Sequence, residues 1–188
     1  MTKYHIAVLA GSLRRDAFTV RIAKYVSKLM PDDFEMKRID LSGLVMFNQD
    51  FDDDGTTPEA WKTFREEIGA ADGFLFVTPE YNRSFPAVLK NALDIGSRPY
   101  GQNLWDGKPG GLIGVTPGNM FAIMGANQLR HTMNFLNIIL MNQPEQYIAD
   151  VSQLLDADGN VTQEHKQKSL REWADAFAGW VRGVADKG

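Results

Sequence analysis

Residues 10–19 place hydroxyl, guanidinium and glycine groups directly after a short apolar run. Serine and threonine hydroxyls donate hydrogen bonds to phosphate oxygens, and arginines bind a phosphate through two parallel N–H groups. A helix that begins near residue 18 adds free N–H groups and the positive end of its dipole. The pattern indicates a phosphate-binding loop; the alternative is a surface turn with an exposed arginine pair. The candidate phosphate-binding residues are Gly11, Ser12, Arg14, Arg15 and Thr19.

A second polar segment, residues 78–86, carries two aromatic side chains between two prolines. The prolines stiffen the loop, and Tyr81 and Phe85 provide flat apolar surface. The backbone amides of residues 80–82 are suited to hydrogen-bonding a heterocycle laid across the ends of the strands. We interpret the segment as one side of a ring-binding cleft. The alternative is a rigid turn whose aromatic side chains fill the core.

The third segment, residues 116–121, offers a threonine hydroxyl, an asparagine amide and a backbone that glycine leaves accessible. These groups would hold the opposite edge of the same heterocycle. By itself the segment is equally well explained as a simple turn. The predicted binding residues are Thr116, Pro117 and Gly118.

The sequence offers no side-chain set for acid–base, nucleophilic or metal chemistry. Cysteine is absent, which excludes disulfides, thiolate metal sites and a cysteine nucleophile. The three histidines, His5, His131 and His165, are scattered, and we interpret them as surface or structural residues. The acidic run at residues 50–54 lacks the spacing of a calcium loop and is predicted to be a solvated loop. Any redox chemistry must therefore belong to a bound cofactor, and we predict neither a catalytic side chain nor a metal ligand.

The three polar segments follow buried apolar runs that alternate with helical patterns. The runs predict an α/β fold in which a five-stranded parallel sheet has helices on both faces, a flavodoxin-like three-layer sandwich of strand order 2-1-3-4-5. Ligands in such sheets bind beyond the carboxyl ends of the strands at the switch point, where the polar segments lie. The predicted strands are Ile6–Leu9, Phe34–Leu41, Gly73–Thr78, Gly110–Thr116 and Ile138–Met141.

Composition narrows the class of protein further. The 188 residues are predicted to form one domain, and the 44% hydrophobic and 23% charged content is that of a globular chain. The net charge of −4 gives no reason to expect nucleic acid as a partner. Neither a signal peptide nor a membrane span is predicted, and the expected compartment is the cytoplasm.

At this point the chain resembles the NADPH-dependent FMN reductase family, which includes bacterial quinone, chromate and azo-dye reductases. The resemblance rests on three segments and covers nearly the whole chain in order. The segment starting at Pro79 is the most specific of them. The segments read AGSLRR at residues 10–15, PEYNRSFPAVLKNALD at residues 79–94 and MNQPE at residues 141–145.

The resemblance implies FMN as bound cofactor, NADPH or NADH as hydride donor, and a quinone, chromate, azo or nitro compound or free flavin as acceptor. It implies a homodimer or homotetramer with the flavin near the subunit interface. The FMN phosphate would be bound by Ser12, Arg14, Ala17, Phe18 and Thr19. The isoalloxazine and ribityl chain would lie along Pro79, Glu80, Tyr81, Asn82 and Arg83 and along Thr116, Pro117 and Gly118.

The chain departs from the family pattern at three places. Ala17 and Thr19 replace the usual serine and asparagine that flank Phe18. The pair Phe121-Ala122 replaces two glycines after the fourth strand, and we expect the added bulk either to crowd the flavin or to reshape the acceptor pocket. Met124 stands where some members have an arginine that serves an intersubunit ion pair.

Two further aromatic residues, Tyr100 and Trp105, are predicted either to line the acceptor site or to pack on a partner subunit.

The residues leave two rival functions open. One rival is a flavodoxin-like electron carrier, which binds flavin but turns over no substrate. The other is a flavin-free nucleotide-binding regulatory protein whose pocket Phe121 closes.

Overall fold

The structure is a computed structural model that describes residues 3–186. Its strands run parallel, and the central ones are almost entirely apolar. Every residue of the third strand is buried, as expected for a strand covered by helices on both faces. The strands are β1 (Tyr4–Ala10), β2 (Phe34–Arg38), β3 (Gly73–Thr78), β4 (Pro109–Val115), β5 (Ile139–Leu140) and β6 (Gln146–Ile148).

The helices lie in two layers, one on each face of the sheet. They are α1 (Phe18–Ser27), α2 (Asp50–Asp53), α3 (Glu59–Gly69), α4 (Ala87–Gly96), α5 (Ile123–Phe135), α6 (Val151–Leu154) and α7 (Glu164–Ala185). Successive β1 residues pack into different layers: Leu9 packs into the core beneath α3, α4 and α5, and Val8 packs into the core beneath α1 and α7.

The strand order β2-β1-β3-β4-β5 confirms the predicted flavodoxin-like topology. All strands point the same way, but the order in which successive strands are added to the sheet reverses between β1 and β3. The connections that follow these two strands therefore run to opposite faces and leave a cleft between them. The loops after β1, β3 and β4 all begin at the carboxyl edge of the sheet. The fold therefore brings the three predicted binding segments to one edge.

The far edge of the sheet differs from the prediction of a single fifth strand at Ile138–Met141. Two short strands share that position: β5 pairs with the start of β4, and β6 pairs with its end. β6 is a strand because it pairs with β4. Its own sequence, Gln146-Tyr147-Ile148, is not a continuous apolar run, so an apolar pattern does not predict it.

The acidic run at residues 50–54, predicted as a solvated loop, is instead the short helix α2. The Asp52 side chain is 6% exposed, and its carboxylate accepts two hydrogen bonds from Arg65 at 2.6 and 2.7 Å. The Arg65 guanidinium beside Asp52 holds the pKa of that carboxyl below its usual value. The prediction was wrong because the sequence does not show that Arg65 lies opposite this run.

Trp105 contradicts the prediction of an acceptor-lining or intersubunit role. Its side chain is fully buried, and its ring lies 4.8 Å from that of Phe74 and 5.9 Å from that of Phe76. The indole N–H donates to the Leu93 carbonyl at 3.0 Å. Trp105 is therefore part of the core, whereas Tyr100 in the same segment is 93% exposed.

Across residues 3–186, none of the helices combines the length and the apolar character that crossing a membrane requires.

Candidate functional site

The loop after β1 packs directly against the loop after β3. Gly11 is buried at this contact, and a Cβ atom there would lie 2.8 Å from side-chain atoms of Leu89 and Pro79 and 2.9 Å from Pro86. Any larger residue would force the two loops apart. Gly11 thus allows the close packing of the two loops, and its contact with a phosphate stays a prediction.

Ser12 joins the same two loops through its side chain. Its Oγ accepts hydrogen bonds from the Tyr81 hydroxyl at 3.1 Å and from the Arg14 N–H at 3.4 Å. Both contacts use the serine oxygen as acceptor, so the serine proton remains free to be donated. Ser12 is 9% exposed and therefore presents this proton at a sheltered position.

Thr19 in the first turn of α1 carries a buried hydroxyl that has no hydrogen-bond partner among residues 3–186. Leaving a buried hydroxyl unpaired is unfavourable by about 1–3 kcal/mol. The first turn of a helix also has N–H groups that lack intrahelical acceptors, and Ala17 at its start offers no side-chain cap. An anion at this position would satisfy both deficits.

Arg14 and Arg15 are exposed and border a cavity of about 240 Å³ beside Ser12. The cavity lies between the loop after β1 and the segment after β2, where Arg38 and Asp40 add further charge. In residues 3–186, neither Arg14 nor Arg15 has an acidic partner within 4.0 Å. Both guanidinium groups are therefore available to an anionic ligand.

The loop after β3 contains a tight hairpin turn at residues 81–84. Tyr81 and Ser84 exchange both backbone hydrogen bonds, at 2.8 and 3.0 Å. The central residues Asn82 and Arg83 have φ values of 51° and 70°, the pattern of a type I′ turn. Their own N–H groups donate to no acceptor in the described part of the chain, so they are free to bind a ligand.

The two aromatic residues of this loop have different environments. Phe85 is partly buried and packs against the core beneath α3, α4 and α5. Tyr81 is 46% exposed and reaches across to Ser12. The core-filling alternative therefore describes Phe85, and Tyr81 alone presents an aromatic surface to the cleft.

Glu80 turns its side chain away from a ligand that would lie over the turn. Its Oε2 accepts the Gly125 N–H in the first turn of α5 at 3.1 Å, and its side chain is 9% exposed. The carboxylate thus neutralises the positive end of the α5 dipole. Only the main chain of Glu80 remains for a cofactor contact.

The loop after β4 ends in strained backbone. Phe121 and Ala122 have φ values of 60° and 56°, a region that glycine adopts freely and other residues adopt rarely. The Phe121 side chain is 43% exposed, whereas that of Ala122 is fully buried. Gly118 donates its N–H to the Thr116 hydroxyl at 3.1 Å, so that hydroxyl is partly used within the loop. Pro117 follows Thr116 in the exposed part of the loop.

The three loops thus bring the predicted residues to one edge, but with unequal access. Ser12, Arg14 and Arg15 lie in the loop before α1, and Thr19 lies in its first turn. Residues 79–83 and 116–118 follow β3 and β4 at the same edge of the sheet. Phe18 is partly buried and Ala17 is buried, so these two residues can contribute backbone groups. Sequence reasoning missed Gln128 of α5, whose side chain bonds both Ser84 and Arg83.

Asp40 lines the cavity beside Ser12, and the hydrogen bond from the Ser42 N–H lowers the pKa of its carboxyl. The other groups with shifted pKa values do not line that cavity. Burial raises the pKa of Tyr147 behind β4, and the Arg65 guanidinium lowers the pKa of Asp52. Within residues 3–186, no group of three or more His, Cys, Asp or Glu side chains could hold a metal ion. The cleft offers hydrogen-bond donors, positive charge and an aromatic surface, which suit an anionic ligand with a flat ring.

Comparison with known proteins identifies similar chains that match nearly full length. The profile of the NADPH-dependent FMN reductase family matches residues 4–153. A 2-hydroxy-1,4-benzoquinone reductase of a Burkholderia species is 47% identical over 177 residues, which cover 94% of this chain and 96% of that protein. A quinone reductase of Pseudomonas putida is 40% identical and covers 95% of both chains. The solved structure of FerB, a flavoenzyme NAD(P)H:(acceptor) oxidoreductase from Paracoccus denitrificans, superposes with a TM-score of 0.90 at 36% identity, covering 96% of this chain and 98% of that one.

Proposed function

The chain belongs to the NADPH-dependent FMN reductase family, and from this premise we propose that it is a flavoenzyme that transfers electrons from NAD(P)H to a quinone. It is an oxidoreductase by family membership, and FMN and NAD(P)H are its cofactor and donor. The quinone acceptor is proposed because the Burkholderia and Pseudomonas putida relatives carry quinone reductase names.

One observation of this structure carries the FMN assignment: a buried hydroxyl without a partner stands at an uncapped helix start. Thr19 Oγ1 and the first N–H groups of α1 form an incomplete hydrogen-bond set, and a phosphate would complete it. Ser12 adds a free proton, and Arg14 adds an unpaired positive charge. The residues present therefore fit a mononucleotide phosphate.

When bound, FMN supplies the chemistry, because it accepts a hydride from NAD(P)H and passes electrons to the acceptor. The chain's own residues bind and orient. Arg14, Arg15, Ser12 and Thr19 would hold the phosphate. The free N–H groups of Asn82 and Arg83 would donate to the ring, where they would favour negative charge. An acid–base side chain is not required for such a reaction.

The acceptor pocket is proposed to have an aromatic and aliphatic wall. Met120, Phe121 and Tyr81 are 56%, 43% and 46% exposed on the loops that border the cleft. Flat quinone rings pack well on such side chains. Phe121 occupies backbone that favours glycine, so its ring is held out at the cleft by a strained conformation rather than buried.

The chain is proposed to act as a homodimer or homotetramer in the cytoplasm. Large apolar side chains on or beside α5 are unusually exposed, Phe135 by 85% and Met124 by 49%, and Tyr100 is exposed by 93%. A shallow groove of about 590 Å³ runs between α4 and α5 next to them. Burial of such side chains against a second copy would remove apolar surface from water.

Reconstitution with FMN followed by turnover tests the proposal. We expect the purified chain to bind FMN, to show a visible flavin spectrum that NADPH or NADH bleaches anaerobically, and to oxidise the donor steadily when 2-hydroxy-1,4-benzoquinone is added. Flavin binding with negligible steady-state oxidation would identify an electron carrier instead. A chain that gains no thermal stability with excess FMN would favour the flavin-free regulatory protein.

A further inference from the structure

α5 forms three hydrogen bonds with the loop after β3, at the hairpin turn of residues 81–84 and at Glu80 just before it. Gln128 makes two of them: its Oε1 accepts from the Ser84 hydroxyl at 2.6 Å, and its Nε2 donates to the Arg83 carbonyl at 3.1 Å. The third runs from the Gly125 N–H to Glu80 Oε2 at 3.1 Å. We call the five residues that these bonds join the α5 clasp: Glu80, Arg83, Ser84, Gly125 and Gln128.

The turn that the clasp holds is unfavourable by itself. Two consecutive non-glycine residues, Asn82 and Arg83, lie in the left-handed region of φ. Asparagine tolerates that region because its short side chain can bond locally, whereas arginine gains no such help. Such conformations persist when surrounding structure over-determines them. The Arg83 carbonyl, at the least favourable position, is the acceptor that Gln128 binds.

Glu80 accepts the third hydrogen bond of the clasp, from the first turn of α5. The residue before α5, Ala122, provides no side-chain cap, and Glu80 satisfies an N–H group of the first turn from a different loop. Its second oxygen lies 3.6 Å from the Arg83 guanidinium. The Glu80 carboxylate therefore contacts both the first turn of α5 and the side chain of the turn residue Arg83.

The fit between α5 and the turn leaves no space at Gly125. A Cβ atom there would lie 2.9 Å from the Ser84 carbonyl oxygen and 3.3 Å from the Phe85 nitrogen. The helix backbone thus acts as a wall against the loop after β3. The three hydrogen bonds and this contact fix the turn relative to the sheet.

We propose that Gln128 and Glu80 are positioning residues that aim the free N–H groups of Asn82 and Arg83 at the flavin ring and so set its reduction potential. This inference rests on the proposed function, because it requires FMN in the cleft. N–H donors held at the ring edge favour its negatively charged reduced form and make the potential more positive. If the clasp is removed, the turn fluctuates and the donors are held less firmly.

The first experiment uses the flavin-free chain and measures backbone amide exchange by NMR. Gln128→Ala removes two bonds of the clasp, and Asn127→Ala changes the adjacent exposed residue of the same helix, which makes no side-chain hydrogen bond within residues 3–186. We expect exchange of the Tyr81 and Ser84 amides to accelerate about tenfold in Gln128→Ala. Ser84→Ala, which removes one bond, should lie between wild type and Gln128→Ala.

The second experiment measures the potential and affinity of bound FMN in the same variants. We expect Gln128→Ala to shift the midpoint potential to more negative values and to raise the FMN Kd about fivefold. Asn127→Ala should leave both unchanged. A potential is a property of the ring environment, so a merely structural role of Gln128 would not move it.

The outcomes separate this inference from the proposed function. Unchanged amide exchange in Gln128→Ala, or equal acceleration in Asn127→Ala, would overturn the clasp whatever the flavin does. Faster exchange with an unchanged potential would overturn the claim that the clasp tunes the ring. Wild-type protein that binds no FMN would instead refute the proposed function and, with it, the tuning role, while the exchange result would still decide whether the clasp exists.

Discussion

Two regions at the carboxyl edge of the sheet treat their buried polar groups in opposite ways. The segment between β2 and α3 is held by Asn91 of α4, which accepts the Phe47 N–H at 2.7 Å and donates to the carbonyls of Leu44 and Val45. Asp52 and Arg65 likewise form a bidentate pair. At the start of α1, by contrast, the buried Thr19 hydroxyl has no hydrogen-bond partner within residues 3–186. The N–H groups of Asn82 and Arg83, which are exposed, have no acceptor in the same range.

The contrast distinguishes structural polar groups from groups that await a ligand. Natural folds pair their buried polar atoms, so a completed set indicates support of the chain itself. Where polar groups lack hydrogen-bond partners beside residues of positive φ and unpaired guanidinium groups, we infer that a bound ligand supplies the missing partners. Substitutions in the first region should therefore alter stability, and substitutions in the second should alter flavin affinity.

The largest expected effect is on stability, from Arg65→Met. The Arg65 and Asp52 side chains are 14% and 6% exposed, so the substitution leaves a buried carboxylate without its cation. Loss of one partner of such a pair destabilises a protein by about 3–5 kcal/mol. Urea denaturation should show this loss, and the FMN Kd of the folded variant should stay within about twofold of wild type.

Two controls test the assignment to the ion pair. The double variant Asp52→Leu with Arg65→Met should recover much of the stability, because it buries no unpaired charge. Acidification gives the second control. The pKa of Asp52 is lowered in the folded state, so its contribution exists above the unfolded value of 3.8 and is lost as pH falls below it. In Arg65→Met the unpaired buried carboxyl should favour its neutral form, so the stability gap should narrow in acid; a constant gap would contradict the pairing.

Much of this fold could be predicted because the central strands are decided by local apolar runs. β3 spans Gly73–Thr78, as predicted, and α4 begins directly after Pro86. β6 could not be predicted, since its pairing with β4 rather than its own pattern makes it a strand. The same limit applies to Asp52, whose partner lies thirteen residues away on another helix.

The candidate site was predictable by position but not by orientation. Placement after β1, β3 and β4 follows from the strand order, and the FMN contacts of those loops remain a prediction. The sequence could not show that Glu80 faces α5, because that contact joins residues 45 positions apart. Nor could it show that Phe121 adopts a positive φ, which only the path of the loop into α5 determines.

A smaller effect, on affinity alone, is expected from Arg14→Ala. The substitution removes an exposed guanidinium that has no acidic partner within 4.0 Å in the described residues, so folding stability should change little. FMN binding should weaken by about 1.5–3 kcal/mol, since a charge-assisted bond to phosphate is lost. Fluorescence titration of FMN measures the change.

Lys168→Ala is the matched control for Arg14→Ala, because it removes the same charge from the exposed face of α7. It should leave the FMN Kd unchanged at ordinary ionic strength. Equal weakening by both substitutions would mean that net charge rather than a local contact attracts the phosphate. Riboflavin, which lacks the phosphate, should bind wild type and Arg14→Ala alike.

The smallest effect is expected from Thr19→Val, and it tests the difference between the two regions most directly. Valine keeps the shape of the buried side chain but removes the unpartnered hydroxyl, so the flavin-free protein should become more stable by about 1 kcal/mol. FMN should bind about 1 kcal/mol more weakly, since its phosphate loses a donor. If the Thr19 hydroxyl serves to bind the ligand, its removal should raise the stability of the flavin-free protein and lower the affinity for FMN. If Thr19→Val destabilised the flavin-free chain and left the FMN Kd unchanged, Thr19 would belong with Asn91 and Asp52 as a structural residue, and the phosphate would have to lie elsewhere.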